Sequence, residues 1–372
     1  MKNIEVKQKS HKSDKIIAVA VFALLLFGLI MISSAGVVIS KTRFGNEYHF
    51  FNHQLLFGVI PGLVALFIVQ KIHYSFWRKV AVPMFIVSLI LLVLVFIPGV
   101  GNHLLGASRW INLGPISFQP TEMMKLSIII YLAYWIEARG NKVKSFSEGL
   151  VPFLMVIGLV SILIIKQPDI GTLGAIILIS MTMFFVSGVP LRYIFGIGVG
   201  GMTLGYLLIK IEPYRMNRLM TFLNPTIDPQ GVGYQINQAL LAIGSGGVLG
   251  LGLGHSRQKF NYLPEPVGDS IFAIVAEELG MIGASILIMV FLFLALRGFK
   301  IAQKAPDKFA KLVAVGITSW IIFQALINIM AIVGLIPLTG IPLPFISYGS
   351  TSLIFILVGV GVLLNISKYT KA

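Results

Sequence analysis

Ten stretches of this chain read as apolar segments about twenty residues long: 16–39, 53–70, 79–97, 120–138, 149–166, 170–188, 191–210, 270–296, 311–334 and 343–366. A helix needs roughly 20 residues to cross a hydrocarbon core about 30 Å thick. Backbone facing lipid must satisfy its own hydrogen bonds, which leaves helices or closed barrels as the spanning forms. Segments of this length predict helices. Composition agrees: 56% of the residues are hydrophobic and 12% are charged, about half the roughly 25% charged share of a soluble domain. A soluble fold would leave this apolar surface uncovered. The expected fold class is therefore all-α, a polytopic membrane protein with ten transmembrane helices.

The net charge of +15 would suggest nucleic acid in a soluble protein. In a membrane protein, Lys and Arg collect in cytoplasmic loops. With the N-terminus inside, nineteen of the 29 Lys and Arg fall on the cytoplasmic side, nine fall outside, and Lys125 lies within a helix. That distribution predicts a multi-pass membrane protein with both termini in the cytoplasm, and no nucleic-acid partner. Residues 1–15 form a basic tail, and the apolar run after it is long enough for an uncleaved signal anchor. Residues 16–367 read as a single membrane domain and 368–372 as a second cytoplasmic tail. There is no cysteine, so disulfide and thiolate chemistry are excluded.

Two outer loops exceed mere connectors. One covers 98–119. The other, 211–269, joins the seventh and eighth spans and carries apolar residues at 239–243 and 248–253. Loops of this length are functional or disordered, and the apolar content predicts a folded, partly re-entrant segment. No internal repeat supports a transporter built from inverted halves.

Ionisable residues inside a membrane are costly and point to function. Glu122 and Lys125 lie three apart, on one helix face where they can pair. A structural pair pinning the bundle and a functional pair are equally consistent with that spacing. Glu277 and Glu278 lie early in the eighth span; one is expected to pair with Lys125 across the bundle and the other to line a polar cavity, with structural roles favoured. Asp269 stands where the long loop meets that span, the position of a helix N-cap, whose bonds would lower its pKa. Arg109, Lys166, Arg215, Arg218, Arg257 and Lys259 are outer cations that the topology rule does not explain. Such a cluster suits a phosphate or pyrophosphate; taken singly, each also suits a lipid headgroup. Nothing resembles a P-loop, a zinc-ligand spacing or a nucleophile elbow.

These residues sit in motifs that occur in a fixed order. Gly106-Ala107-Ser108-Arg109-Trp110-Ile111 is followed by Gln119-Pro120-Thr121-Glu122, leading to Lys125, and by Lys166-Gln167-Pro168-Asp169-Ile170-Gly171-Thr172. Tyr234-Gln235 with Gln238, then Gly254-His255-Ser256-Arg257-Gln258-Lys259, precede Tyr262-Leu263-Pro264-Glu265-Pro266. Asp269 and Ala276-Glu277-Glu278-Leu279-Gly280 come next, and Gly340-Ile341-Pro342-Leu343-Pro344-Phe345-Ile346-Ser347-Tyr348-Gly349 closes the series. In this arrangement the chain resembles the SEDS family of FtsW, RodA and SpoVE over nearly its whole length, nearest to the FtsW/SpoVE branch. It departs at Val267-Gly268, where the family commonly has His-Thr, at Ser270, where it commonly has Phe, and at Ser350-Thr351, where it has Gly-Ser.

The resemblance implies a peptidoglycan glycosyltransferase that polymerises lipid II at the outer face of the cytoplasmic membrane, for septal wall synthesis in cell division. An elongation-type, RodA-like polymerase and a lipid II flippase are the alternatives. The family's catalytic aspartate maps to Asp269 and its acidic and basic pair to Glu122 and Lys125. In the expected mechanism Asp269 is the general base, Arg109 and Lys125 lie near the pyrophosphate, and Glu122 orients Lys125. Arg257, Lys259 and Glu265 complete the expected substrate-binding set. No metal-ligand spacing demands a cofactor, although a divalent cation (Mg or Mn) at Asp269 or Glu265 is compatible with the chemistry. The expected partners are lipid II, a polyprenyl-pyrophosphate-linked glycan, a class B penicillin-binding protein and other divisome membrane proteins.

Overall fold

The computed structural model describes residues 11–104, 107–114, 116–224 and 231–370. Gly106 of the first motif and the tail cations Lys2, Lys7, Lys9 and Lys371 lie outside the described residues.

Each expected span overlaps a helix. α1 (Lys15–Phe44) starts under the Asp14 carboxylate, which accepts from the amides of Ile16 and Ile17, and ends at Gly45, whose φ is 70°. α2 (His49–Gln54) and α3 (Ile60–Val69) form one rod through the π turn Leu55–Val59. α4 (Ser75–Leu94) leads into three strands, β1 (Gly101–Leu104), β2 (Ala107–Leu113) and β3 (Ile116–Phe118). α5 (Pro120–Arg139) follows; a second π turn, Phe146–Leu150, then precedes α6 (Val151–Lys166). Each π turn closely precedes a proline, Pro61 or Pro152. Proline has no N–H to give the carbonyl four residues back, so the helix widens there. α7 (Ile170–Val186), α8 (Leu191–Ile211), α9 (Pro213–Leu223) and α10 (Val232–Gly246) come next, then α11 (Ile271–Gln303), α12 (Lys308–Ile332) and α13 (Ser350–Ser367).

Among the described residues, eight helices are long and apolar enough to cross a membrane. The other two expected spans are α5, which has 20 residues but carries Glu122, Lys125, Glu137 and Arg139, and α7, with 17 residues. The described residues of the outer loop at 98–119 form an antiparallel sheet in the order β1-β2-β3, within the otherwise all-α fold. One expectation needs correction. The last span starts at Ser350 rather than at 343, because Pro342 and Pro344 interrupt the run and Phe345 takes φ 65°.

α12 and α5 form the middle of the bundle. The apolar window of α12 is 78% buried and that of α8 is 0%, so α12 is surrounded by protein and α8 lies at the periphery. A Cβ added at Gly316 would come within 2.5 Å of Ile129 and 2.8 Å of Met183. That glycine lets α12 approach α5 and α7 closely, the kind of contact that drives helix association where lipid removes the hydrophobic contrast. Among the described residues, the long loop after α8 contains the helices α9 and α10. α10 buries Ile236, Ala239 and Ala242, one face at helical spacing, and packs along α11. Both described chain ends meet at one end of the bundle. The amide of His11 donates to the Lys368 carbonyl at 2.9 Å, and that of Asp14 to Ser367 Oγ at 2.9 Å.

Candidate functional site

α12 carries three side chains four residues apart on one face: Trp320, Gln324 and Asn328. Gln324 Oε1 accepts from Trp320 Nε1 at 2.8 Å and from Lys125 Nζ at 2.7 Å, while its Nε2 donates to the Pro342 carbonyl at 3.0 Å. One turn on, Asn328 Nδ2 donates to the carbonyls of Asp269 and Ile341, both at 2.8 Å. The two amides thus tie the 341–342 segment and the turn ahead of α11 to the bundle centre. Lys125 pairs with Glu122 at 2.8 Å, and both side chains are at most 1% exposed. The ammonium also lies 5.2 Å from the Trp320 ring centroid. Among the described residues Glu122 Oε2 has no hydrogen-bond partner. A charge removed from water this fully is held by its partners, and removing one of them leaves the other uncompensated.

Asp269 sits at the edge of this framework. α11 begins at Ile271 with Ser270 in the cap position, and no side chain caps it. The N-cap reading is therefore corrected: the Asp269 carboxylate instead faces Gln235 of α10, whose Nε2 lies 3.3 and 3.4 Å from its two oxygens and 3.0 Å from Ser270 Oγ. Crowding by surrounding protein and the neighbouring Glu265 charge push its pKa up to about 6. The Gln235 hydrogen bond and the Arg218 charge act the other way. Burial disfavours a carboxylate unless hydrogen bonds compensate, and here the bonds are few and long. The turn holding Asp269 closes through the Glu265 carbonyl, which accepts from Gly268 and Ser270 at 3.0 and 3.3 Å. Arg218 donates to the Leu338 carbonyl at 3.2 Å.

Glu277 and Glu278, two turns into α11, serve one loop. Neither pairs with Lys125, which corrects that expectation. Glu278 accepts from Ser34 Oγ at 2.7 Å, from the Ser256 amide at 3.3 Å and from Lys259 Nζ at 3.2 Å. Glu277 accepts from Ser256 Oγ and from the amides of Arg257, at 2.8 Å, and Gln258, at 3.4 Å. Lys259 is buried and also donates to the Gly254 carbonyl at 2.6 Å, whereas the Arg257 side chain is exposed. The backbone reinforces the arrangement. α11 breaks at Gly280 (φ 67°, ψ −170°), where a Cβ would lie 2.3 Å from the Gly250 amide nitrogen. The carbonyls of Glu277 and Glu278 accept from Leu251 and Gly252, while Met281 and Ile282 donate to Gly247 and Val248. Residues 247–252 thus satisfy the polar groups that the break exposes, as buried backbone requires.

Arg109, in β2, reaches the turn between α6 and α7. Its Nε donates to the Gln167 carbonyl at 3.0 Å and its Nη2 to the Pro168 carbonyl. Asp169 of the same turn caps α7 through the Thr172 amide at 3.3 Å.

The family model for FtsW, RodA and SpoVE, described as cell cycle protein, matches residues 15–372. The chain belongs to this family. It is 43% identical over 363 residues to stage V sporulation protein E of Bacillus subtilis (strain 168), covering 98% of this chain and 99% of that one. It is 40% identical over 361 residues to a probable peptidoglycan glycosyltransferase FtsW of Geobacter sulfurreducens, covering 97% and 96%. Among solved structures it is similar to a chain from work on polymerization and crosslinking by a peptidoglycan synthase complex, with TM-score 0.79, 27% identity and 95% and 97% of the two chains covered. Thermus thermophilus rod shape determining protein RodA gives TM-score 0.70 at 26% identity, covering 96% and 98%.

Within this family framework the motif residues fall into three groups. Glu122 and Lys125 join Asp269 through α12 and the 341–342 segment, and Glu265 lies beside Asp269. Lys259 and the backbone of Arg257 are anchored on Glu277 and Glu278. Arg109 belongs to the α6–α7 turn. Gln324 and Asn328 stand outside the motifs, although two amides four apart in an apolar span are a readable signal. Gln235 stands inside one, but only the fold shows that it faces Asp269. Among the described residues no three His, Cys, Asp or Glu side chains are grouped to hold a metal ion.

Proposed function

We propose that this chain is a peptidoglycan glycosyltransferase that polymerises lipid II at the outer face of the bacterial cytoplasmic membrane, with Asp269 as general base. The observation that carries this reading is the Asp269 carboxylate, held on one side by Gln235 and raised to about 6 in pKa. A base near the working pH both exists in its ionised form and accepts a proton readily. Asp269 takes the proton of the acceptor sugar hydroxyl as that oxygen attacks the anomeric carbon of the donor, while the bond to the lipid pyrophosphate breaks. Arg218, close enough to act on the charge of Asp269, and the exposed Arg257 stabilise the departing pyrophosphate. Lys125 is fully enclosed, so Glu122 and Lys125 act as positioning residues, holding Gln324 and through it the 341–342 segment. Two carboxylates, Asp269 and Glu265, suffice for a Mg or Mn ion only if the substrate pyrophosphate adds oxygen ligands.

Relatives named for sporulation and as a glycosyltransferase, at 43% and 40% identity, support the septal branch over the elongation-type one. The Lys and Arg distribution, with the chain ends meeting at one end of the bundle, supports ten spans with both termini cytoplasmic. The similarity to a complex that couples polymerization with crosslinking supports a class B penicillin-binding protein as partner.

The test is glycan polymerisation from purified lipid II by the wild-type chain and Asp269→Ala, each with the partner supplied. Polymer from the wild type and none from a folded, partner-binding variant is expected. Polymer from both removes Asp269 from the mechanism, and polymer from neither turns the assignment towards a lipid II flippase.

A further inference from the structure

At the end of the bundle where the chain ends meet, the start of α1 and the last turns of α11 line an open pocket of about 510 Å³. Its walls carry Lys12, Lys15, Arg297, Lys300 and Lys304, with His11 at the rim. The acid among them is Asp14, and it is already engaged: Arg297 Nε donates to Oδ2 at 2.7 Å, and the amides of Ile16 and Ile17 donate to Oδ1. Among the described residues no carboxylate pairs with Lys12, Lys15, Lys300 or Lys304. These four exposed lysines line one pocket, and their shared positive potential favours an anion there.

The cavity does not stop at the charged end. Lys15 and Ile16 also line a second, almost wholly apolar cavity of about 530 Å³ between α1 and α11, which continues past Val19, Ala23 and Phe293. A third, of about 420 Å³, shares Ala23, Ile286 and Val290 with it and extends to Phe27 and Leu279. From Lys15 to Phe27 the wall formed by α1 rises about 18 Å at 1.5 Å per residue, slightly more than half of a hydrocarbon core about 30 Å thick. A cationic pocket opening onto an apolar furrow one leaflet deep matches a molecule with an anionic head and a fatty tail.

We propose that the furrow between α1 and α11 is a binding site for an anionic glycerophospholipid, its phosphate among Lys12, Lys15, Lys300 and Lys304 and an acyl chain along Val19, Ala23 and Ile286. Basic pockets between transmembrane helices commonly hold anionic headgroups. Charge complementarity and the continuous furrow favour this occupant over a neutral lipid or a partner's transmembrane helix. The inference rests on the membrane fold and not on the transferase chemistry.

The experiment uses the full chain, purified in neutral detergent, with native mass spectrometry and thermal melting in the presence of phosphatidylglycerol or phosphatidylcholine. Phosphatidylglycerol is expected to bind at least 5-fold more tightly than phosphatidylcholine and to raise the melting temperature. The triple variant Lys12→Gln, Lys300→Gln, Lys304→Gln should lose that preference while melting as the wild type does in detergent alone. Ala23→Trp, at a position that lines the furrow, should weaken phosphatidylglycerol binding at least 5-fold with the lysines intact. Equal binding of the two lipids, or unchanged binding in both variants, overturns the proposal. Equal competition by glycerol phosphate, which has no acyl chain, also overturns it by reducing the site to an anion pocket. So does complete displacement of the lipid by a partner helix that photocrosslinks at position 23, or by polyprenyl phosphate in preference to phosphatidylglycerol.

Discussion

Asp269 and the Glu277–Glu278 pair lie within ten residues of each other, yet their carboxylates have opposite surroundings. Glu277 and Glu278 are completely buried and receive hydroxyls, amides and an ammonium at close range. Asp269 is partly exposed and its oxygens receive Gln235 at 3.3 and 3.4 Å. A carboxylate saturated with donors has no lone pair free for a substrate proton, and it fixes whatever supplies the donors. One left short of donors holds a raised pKa and stays available. The first pair builds the loop at 256–259; the second position can do chemistry.

The sharpest way to break this comparison is Asp269→Asn, which keeps the shape and removes the base. Polymerisation of lipid II should fall by about 10²- to 10⁴-fold, the range for loss of a general base. Stability should move the other way. The folded chain holds the Asp269 proton more tightly than the unfolded chain, whose carboxyl has a pKa of 3.8. The stability it contributes is therefore present at low pH and lost as pH rises from about 4 through about 6. At pH 7 the asparagine variant should melt no lower than the wild type; a clear drop would mean that Asp269 is structural.

Glu278→Ala should show the reverse pattern. It leaves Lys259 buried without its carboxylate, and breaking a buried pair in this way costs about 3–5 kcal/mol. Thermal melting in detergent reads the loss, and activity per folded molecule should fall far less than in Asp269→Asn. A smaller effect is expected from Gln235→Leu. Removing a hydrogen bond that favours the ionised carboxylate raises the pKa of Asp269, so the acidic limb of the pH–rate profile should shift upwards from about pH 6. An unshifted limb would assign that titration to another group. The smallest effect belongs to Arg257→Gln. Its side chain is exposed, so the melting temperature should not change, while KM for lipid II should rise about 3-fold for loss of one electrostatic contact worth under 1 kcal/mol.

Much of the fold is legible in the sequence, because hydropathy is local and additive over a helix. Each expected span overlaps a helix, and the Glu122–Lys125 pair follows from a spacing of three. The sheet at 101–118 is not legible, since short strands in a loop leave only a weak alternation. The start of α13 is misplaced by hydropathy alone, because the apolar content of 343–349 masks the effect of Pro342 and Pro344.

The chain's own sequence determined that it spans a membrane, which family it belongs to and which residues carry its motifs. Only the tertiary structure decided what those residues do. Asp269 looked like a cap and is not one, because the helix starts two residues later and the contact it makes comes from Gln235, 34 positions away. One of Glu277 and Glu278 looked like a partner for Lys125; neither is, and Glu278 holds Lys259 and Ser34, the latter 244 positions distant. Arg109 looked like an outer cation suited to a pyrophosphate, and the structure adds that its guanidinium donates to the carbonyls of Gln167 and Pro168. The physical reason is the same in each case. Burial in a bilayer is set by composition along the chain, whereas the state of a buried charge is set by the few donors and acceptors within hydrogen-bond reach, and those come from anywhere in the sequence.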